Sequence, residues 1–164
     1  NVPKYLFDDI KLEYYQIYNK NAHKNTKIYP GINELLTKLK QKNISLNVLS
    51  NKQHQQTTEV INHFFDNDTF DIVYGKQDNI KAKPDPTLAR KLIKKLKLKT
   101  SEILYVGDTL TDMRLALNAG LTSVGVLWGF RDEMELVNAK ASYIVKEPLE
   151  ILKLIEEKNN DSNN

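Results

Sequence analysis

The segment Gly107-Asp108-Thr109-Leu110-Thr111-Asp112 places two carboxylates four positions apart, directly after the apolar run Ile103-Leu104-Tyr105-Val106. Carboxylates so spaced share one turn at the entry to a helix. Hard oxygen donors in that arrangement suit Mg²⁺, which takes one or two carboxylates plus waters and a substrate phosphate. A simpler reading is also open: Asp108 as a turn residue and Asp112 as a first-turn charge favoured by the helix dipole. Lys83, in Lys81-Ala82-Lys83-Pro84-Asp85-Pro86, is a compact point charge able to hold a phosphate. The proline after it biases its backbone towards an extended shape that would help aim it; the alternative is a solvated loop lysine. Ser50-Asn51 closes the short run Ser45-Leu46-Asn47-Val48-Leu49. There a hydroxyl and backbone N–H groups can cradle phosphate oxygens, or the serine can cap the following helix.

These residues are useful only if the chain brings them together, and the hydrophobic pattern supplies the elements. Leu6, Ile10, Tyr14 and Ile17 recur at helical spacing, so 3–20 reads as an amphipathic helix. Pro30-Gly31 is a turn before a second helix marked by Ile32, Leu35, Leu36 and Leu39. A strand at 45–49 is expected to end at Ser50, and a helix over about 54–65 follows. Ile72-Val73-Tyr74 is the next strand, closed by Gly75. Asp85-Pro86 has the form of an N-cap with proline at the first helical position, opening a helix with Leu88, Leu92, Ile93 and Leu96. The run 103–106 is a strand of the kind buried on both faces. A short helix from about Thr111 stops before Gly120. Strands at 122–126 and 143–145 and a terminal helix from Pro148 complete the pattern, and Lys158 to Asn164 is expected to be a frayed tail.

Strands separated by helices imply βαβ crossovers and a mainly parallel sheet with helices on both faces. Ligands in such α/β sheets bind beyond the carboxyl ends of the strands. Ser50, Lys83 and Asp108 each follow a strand.

Composition narrows the function classes. Apolar residues make up 40% and charged residues 27% of 164 residues, a balance that argues against wholesale disorder, collagen or coiled coil. Cysteine is absent, which excludes disulfides, thiolate metal sites and a cysteine nucleophile within these residues. A net charge of +3 is too mild to argue for nucleic acid, and no apolar run has the length of a membrane span. The expected partner is a small phosphorylated metabolite rather than nucleic acid or membrane, and the expected location is cytoplasmic. A chain opening Asn1-Val2-Pro3 without methionine is expected to be a piece of something longer.

Taken in combination, the three segments resemble the haloacid dehalogenase superfamily of phosphohydrolases, and within it the phosphoglycolate phosphatases. Val48 to Lys52 resembles its second motif, with Ser50 as the phosphate-binding hydroxyl. Lys81 to Pro86 resembles the third, with Lys83 as the motif lysine, and Tyr105 to Asp112 the fourth, with Asp108 and Asp112 at the metal. Tyr29-Pro30-Gly31 resembles the re-entry from a helical cap into the core. The resemblance implies a three-layer α/β/α core over 27–157, with 1–26 as the remnant of a cap and 158–164 as a tail. It further implies Mg²⁺-dependent hydrolysis of a small phosphate monoester, with Ser50 and Lys83 as catalytic groups, Ser50, Asn51 and Lys83 on the substrate, and Asp108 and Asp112 on the metal.

One departure is large. The family's first motif, an Asp-x-Asp loop carrying the nucleophile and the general acid/base, has no counterpart, because Asp8-Asp9-Ile10 has the wrong spacing and lies in a helical pattern. The chain alone is therefore expected to be inactive. The family's first strand, central between those ending here at Ser50 and Val106, would also be missing. Its loss would leave a gap to be filled by direct pairing of the flanking strands, by a second chain or by a further segment. Competing readings are a non-catalytic phosphate- or protein-binding module and a phosphonate or pyrophosphate hydrolase of the same superfamily.

Other residues invite plainer explanations. His23, His54 and His63 share no ligand spacing. Lys91, Lys94, Lys95, Lys97 and Lys99 form a solvated face opposite Leu88, Leu92 and Leu96. Asp132 and Glu135 have capping-box spacing. Trp128 and Phe130 follow a strand at the ligand-binding edge, where a lid contact and ordinary packing both remain open.

Overall fold

The order of elements in the computed structural model, which describes residues 3–21, 24 and 26–161, follows the alternation of hydrophobic periods. A 3₁₀ turn, Lys4–Leu6, leads into α1 (Phe7–Asn21), α2 spans Ile32–Gln41, and a second 3₁₀ turn, Thr100–Glu102, lies farther along. Then come β1 (Asn47–Gln53), α3 (His54–Phe64), β2 (Ile72–Lys76), α4 (Thr87–Leu96) and β3 (Leu104–Gly107). The chain closes with α5 (Leu110–Ala119), β4 (Thr122–Val126), α6 (Glu133–Asn138), β5 (Tyr143–Val145) and α7 (Glu150–Asp161).

All strand pairs are parallel, as crossover helices require. They form two sheets: β1 pairs with β2, and β3-β4-β5 follow one another. Among the described residues β1 and β3 pair with no common strand and not with each other. Of the three ways of filling the expected gap, direct pairing of the flanking strands does not occur. Val106, in the middle of β3, is correspondingly 42% exposed.

Helices cover both faces. On one, Leu35 and Leu39 of α2 and Ile151 of α7 pack with Val124, Val126 and Val145. On the other, Ala89 of α4 and Leu115, Ala116 and Ala119 of α5 pack with Leu121, against Leu49 of β1 and Tyr105 of β3. Both sheets therefore share this second layer. Period-two alternation along β4 sends Val124 and Val126 to one side and Gly125 to the other, where a Cβ would meet Leu136 Cδ1 at 3.0 Å. The α1 stripe predicted from spacing is present but faces outward: Ile10, Tyr14 and Ile17 are all exposed.

Several boundaries differ from expectation, among them that of β2, which runs through Gly75 to Lys76, and three that bear on the site or the end of the described chain. First, β1 does not stop at Ser50 but continues to Gln53, with its register broken between Leu49 and Gln53, so that Ser50, Asn51 and Lys52 bulge from the ladder. Local bonds replace the lost pairing: Lys52 N–H donates to Ser50 Oγ, and the buried Thr57 hydroxyl to the Lys52 carbonyl. Second, α4 begins at Thr87 with Pro86 one position outside it. The capping contact is nonetheless Asp85's, whose carboxylate accepts the Thr87 N–H at 2.9 Å. Third, α7 runs through Asp161, so the first residues of the expected tail are helical. His23, Asn1 and Val2 lie outside the described residues, as does the side chain of Asp8.

Candidate active site

Lys83 sits in the loop between β2 and α4, and its backbone is fixed from across the sheet edge. Asn51 Oδ1 accepts the Lys83 N–H at 2.7 Å, and Asn51 Nδ2 donates to the Lys83 carbonyl at 3.2 Å. An amide carries one acceptor and two donors, so a single asparagine can clamp both polar groups of a peptide residue. The bulge that lifts Ser50 to Lys52 out of the β1 ladder puts Asn51 within reach of that loop.

The lysine side chain then turns inward. Its Nζ lies 2.7 Å from Asp112 Oδ1, 3.2 Å from the Leu49 carbonyl and 3.3 Å from the Tyr105 hydroxyl. Only 15% of the Lys83 side chain and 8% of that of Asp112 are exposed. Asp112 is engaged at both oxygens: Oδ1 also accepts the Tyr105 O–H at 3.2 Å, and Oδ2 accepts the Thr109 O–H at 2.7 Å. Thr109 caps α5, its Oγ1 accepting the Asp112 N–H, so the carboxylate is held in the first helical turn. Gly107 makes room for it, since a Cβ there would overlap the Asp112 side chain.

Burial works against ionisation of Asp112, but the Lys83 charge outweighs it, together with hydrogen bonds from Lys83, Thr109 and Tyr105. The carboxyl is held below its ordinary range. Tyr105 moves the other way. Burial first, then the adjacent Asp112 charge, push its phenol far above the ordinary value.

Asp108 lies at the entry to α5, half-buried. Its Oδ2 accepts the Phe130 N–H at 2.9 Å, and Gly129 packs so closely that a Cβ there would overlap the Asp108 carboxyl. The β4–α6 loop is thus seated on this carboxylate. Glu135 supports the same turn, its Oε1 accepting the Leu110 N–H at the start of α5. Asp132 accepts the Glu135 N–H as the capping spacing predicts. Trp128 packs against the core beside Val124 and Val126, whereas Phe130 is 87% exposed.

Of the sequence-predicted residues, Lys83 and Asp112 are thus in direct contact, and Asn51 holds the Lys83 backbone. Ser50 sits on the bulge beside Asn51, and Asp108 at the turn that carries Asp112. Tyr105, Thr109, Gly107, Gly129 and the Leu49 carbonyl belong to the same constellation and were not singled out as site residues. For Tyr105 a signal existed: a lone hydroxyl in an apolar strand two residues before a glycine-aspartate turn.

A metal would find hard oxygen donors here, in Asp108 and Asp112. Among the described residues no cluster of three or more His, Cys, Asp or Glu could hold one alone. That donor set fits Mg²⁺, which completes its shell with water and phosphate. His54 is occupied elsewhere, its Nδ1 accepting the Gly75 N–H.

Comparison with known proteins identifies the family. Residues 2–126 match the family model described as haloacid dehalogenase-like hydrolase. A provisionally named pyrophosphatase, PpaX, of Caldanaerobacter subterraneus subsp. tengcongensis is 32% identical over 148 residues, covering 90% of this chain and 67% of that protein. A phosphoglycolate phosphatase of Mannheimia succiniciproducens is 29% identical over 138 residues, covering 84% of this chain and 62% of that one. The crystal structure of a predicted phosphoglycolate phosphatase from Haemophilus somnus 129pt superposes with a TM-score of 0.86 at 27% identity, over 94% of this chain and 68% of that one. The chain thus spans roughly three fifths to two thirds of the length of the curated relatives it matches.

Proposed function

The chain belongs to the haloacid dehalogenase-like hydrolase family, and we propose that it supplies the phosphate- and metal-binding part of a Mg²⁺-dependent, phosphoglycolate phosphatase-like hydrolase of small phosphate monoesters. The observation that carries this reading is the buried Lys83–Asp112 pair at 2.7 Å, set at the carboxyl ends of parallel strands with Asn51 clamped to the Lys83 backbone and Asp108 in the turn that leads to Asp112.

In this reading Ser50 and Lys83 bind phosphoryl oxygens, and Lys83 offsets charge that builds on them as the ester bond breaks. Asp112 orients Lys83, and Asn51 fixes the loop that carries it. Asp108 and Asp112 would hold the metal, which when bound would supply positive charge at the phosphoryl oxygens. The nucleophilic carboxylate comes from a segment outside the 164 residues. It attacks phosphorus as the bond to the alcohol oxygen breaks, and the second carboxylate of the same segment, in its protonated form, gives its proton to the departing alcohol. That carboxylate then takes a proton from the water that cleaves the acyl-phosphate, releasing phosphate and the free nucleophile. Residues 1–26 then belong to a helical cap and 27–157 to the catalytic core, in a cytoplasmic enzyme.

A second reading, hydrolysis of a phosphoanhydride such as pyrophosphate, is favoured by the 32% identity to the PpaX protein. One experiment tests both. The 164-residue chain is assayed with Mg²⁺ against 2-phosphoglycolate, other monoesters and pyrophosphate, alone and joined to an upstream Asp-x-Asp strand. The chain alone should be inactive and the joined protein active, with its preferred substrate choosing between the readings. Turnover of about 1 s⁻¹ or more by the chain alone, abolished by Asp108→Asn, would overturn the assignment of the nucleophile.

A further inference from the structure

An ammonium group has three N–H donors and no more. In this structure all three of Lys83's are committed, to Asp112 Oδ1, the Leu49 carbonyl and the Tyr105 hydroxyl. With 15% of the side chain exposed, no donor is left over for a ligand. The three acceptors are unequal. The Asp112 contact is short and charge-assisted at 2.7 Å, whereas the two neutral acceptors stand at 3.2 and 3.3 Å. An anion reaching Lys83 must therefore displace a neutral acceptor while Asp112 keeps hold of the nitrogen.

The two neutral acceptors come from the two separate sheets. Leu49 is on β1, on whose far side from β2 no strand pairs among the described residues, and Tyr105 is on β3, which bounds the other sheet. The Lys83 ammonium thus spans the interval between them.

We propose that Lys83 is self-capped, with Tyr105 as the positioning residue that sets its affinity for anions: the phenol and the Leu49 carbonyl compete with a phosphate oxygen for the same two N–H groups. The proposal rests on the reading of Lys83 as the phosphate-binding cation and goes beyond it. It assigns the closed state of the site to named competitors and makes release of the Leu49 carbonyl the opening event. Any N–H that pairs with that carbonyl from the β1 edge frees Lys83, so occupation of the edge and anion binding reinforce each other.

The test is titration of inorganic phosphate into the full chain labelled with ¹³C and ¹⁵N, followed at Lys83 ¹⁵Nζ and at the Leu49 carbonyl carbon. Both resonances should move along one binding curve. Tyr105→Phe removes one competitor and should tighten phosphate binding about threefold to tenfold, the worth of one neutral hydrogen bond. A purely structural role for Tyr105 predicts weaker binding instead. Lys83→Met, followed at the Asp112 amide, should lose the response. If phosphate binds as before without the lysine, or the wild type does not respond at all, the site reading itself falls and the inference with it. If Lys83→Met loses binding but Tyr105→Phe leaves affinity unchanged or lower, self-capping is overturned and the site reading stands. Should Tyr105→Phe fail to fold, the wild type decides: a Leu49 carbonyl that stays still while Lys83 shifts overturns the proposal.

Discussion

Lys83 Nζ lies 2.7 Å from Asp112 Oδ1 across a sequence separation of 29 residues, with both side chains largely withdrawn from water. Such a pair is stable only while it is complete. Desolvating each charge costs several kcal/mol, and the mutual attraction with the surrounding hydrogen bonds offsets that cost.

Removing one member should therefore be worse than removing both. Lys83→Met or Asp112→Leu alone is expected to cost about 3–5 kcal/mol, by stranding a buried charge, and the double variant clearly less than the sum. Urea denaturation of the four proteins measures the coupling. Additive costs would mean that the two groups do not act as a pair.

The same pair sets an acid limit. The folded-state pKa of Asp112 is lowered, so its contribution to stability is fully present above the ordinary carboxylate value of 3.8 and is lost as pH falls through the lower, folded value. Denaturation midpoints measured between pH 6 and about 2 should drop steeply at the acid end for the wild type. For Asp112→Asn the drop should be shallower, from a lower starting stability. Parallel curves would contradict the assignment.

Asn51 is exposed yet makes two hydrogen bonds to the Lys83 backbone. Asn51→Ala should leave global stability within about 1–2 kcal/mol while loosening the loop. Amide exchange resolves the two effects, since the Lys83 N–H should exchange much faster and the amides of β4 should not. Unchanged protection at Lys83 would refute the clamp.

Gly129 touches Asp108 so closely that a methyl group has no room. Gly129→Ala should push Asp108 away and break its bond to the Phe130 N–H, costing about 1–3 kcal/mol as overpacking does. Mg²⁺ binding, followed by calorimetry, should weaken in parallel. Wild-type Mg²⁺ affinity in a folded Gly129→Ala protein would separate Asp108 from the metal.

The features legible in the order of residues alone were local or periodic. Apolar spacing specified the helices and, for α2, the buried face carrying Leu35 and Leu39, because a 3.6-residue period gathers apolar side chains on one side. The strand runs at 72–74 and 104–106, the Asp132 cap and the residues after each strand were legible from local pattern, although β2 runs on through Gly75 to Lys76. The identities of Ser50, Lys83, Asp108 and Asp112 could be marked because ligands gather at the carboxyl ends of parallel strands. How these groups meet one another depends on contacts between distant segments. Asn51 meets Lys83 because β1 bulges, an irregularity with no periodic signature, and the clamp spans 32 residues. Tyr105 reads as one more residue of an apolar strand until its hydroxyl is found between Lys83 and Asp112. The outward stripe of α1 was equally out of reach, and so was whether β1 and β3 would close the expected gap by pairing directly, which they do not among the described residues. Periodicity states that a face is apolar or a strand extended, whereas what covers that face or pairs with that edge depends on segments far away along the chain.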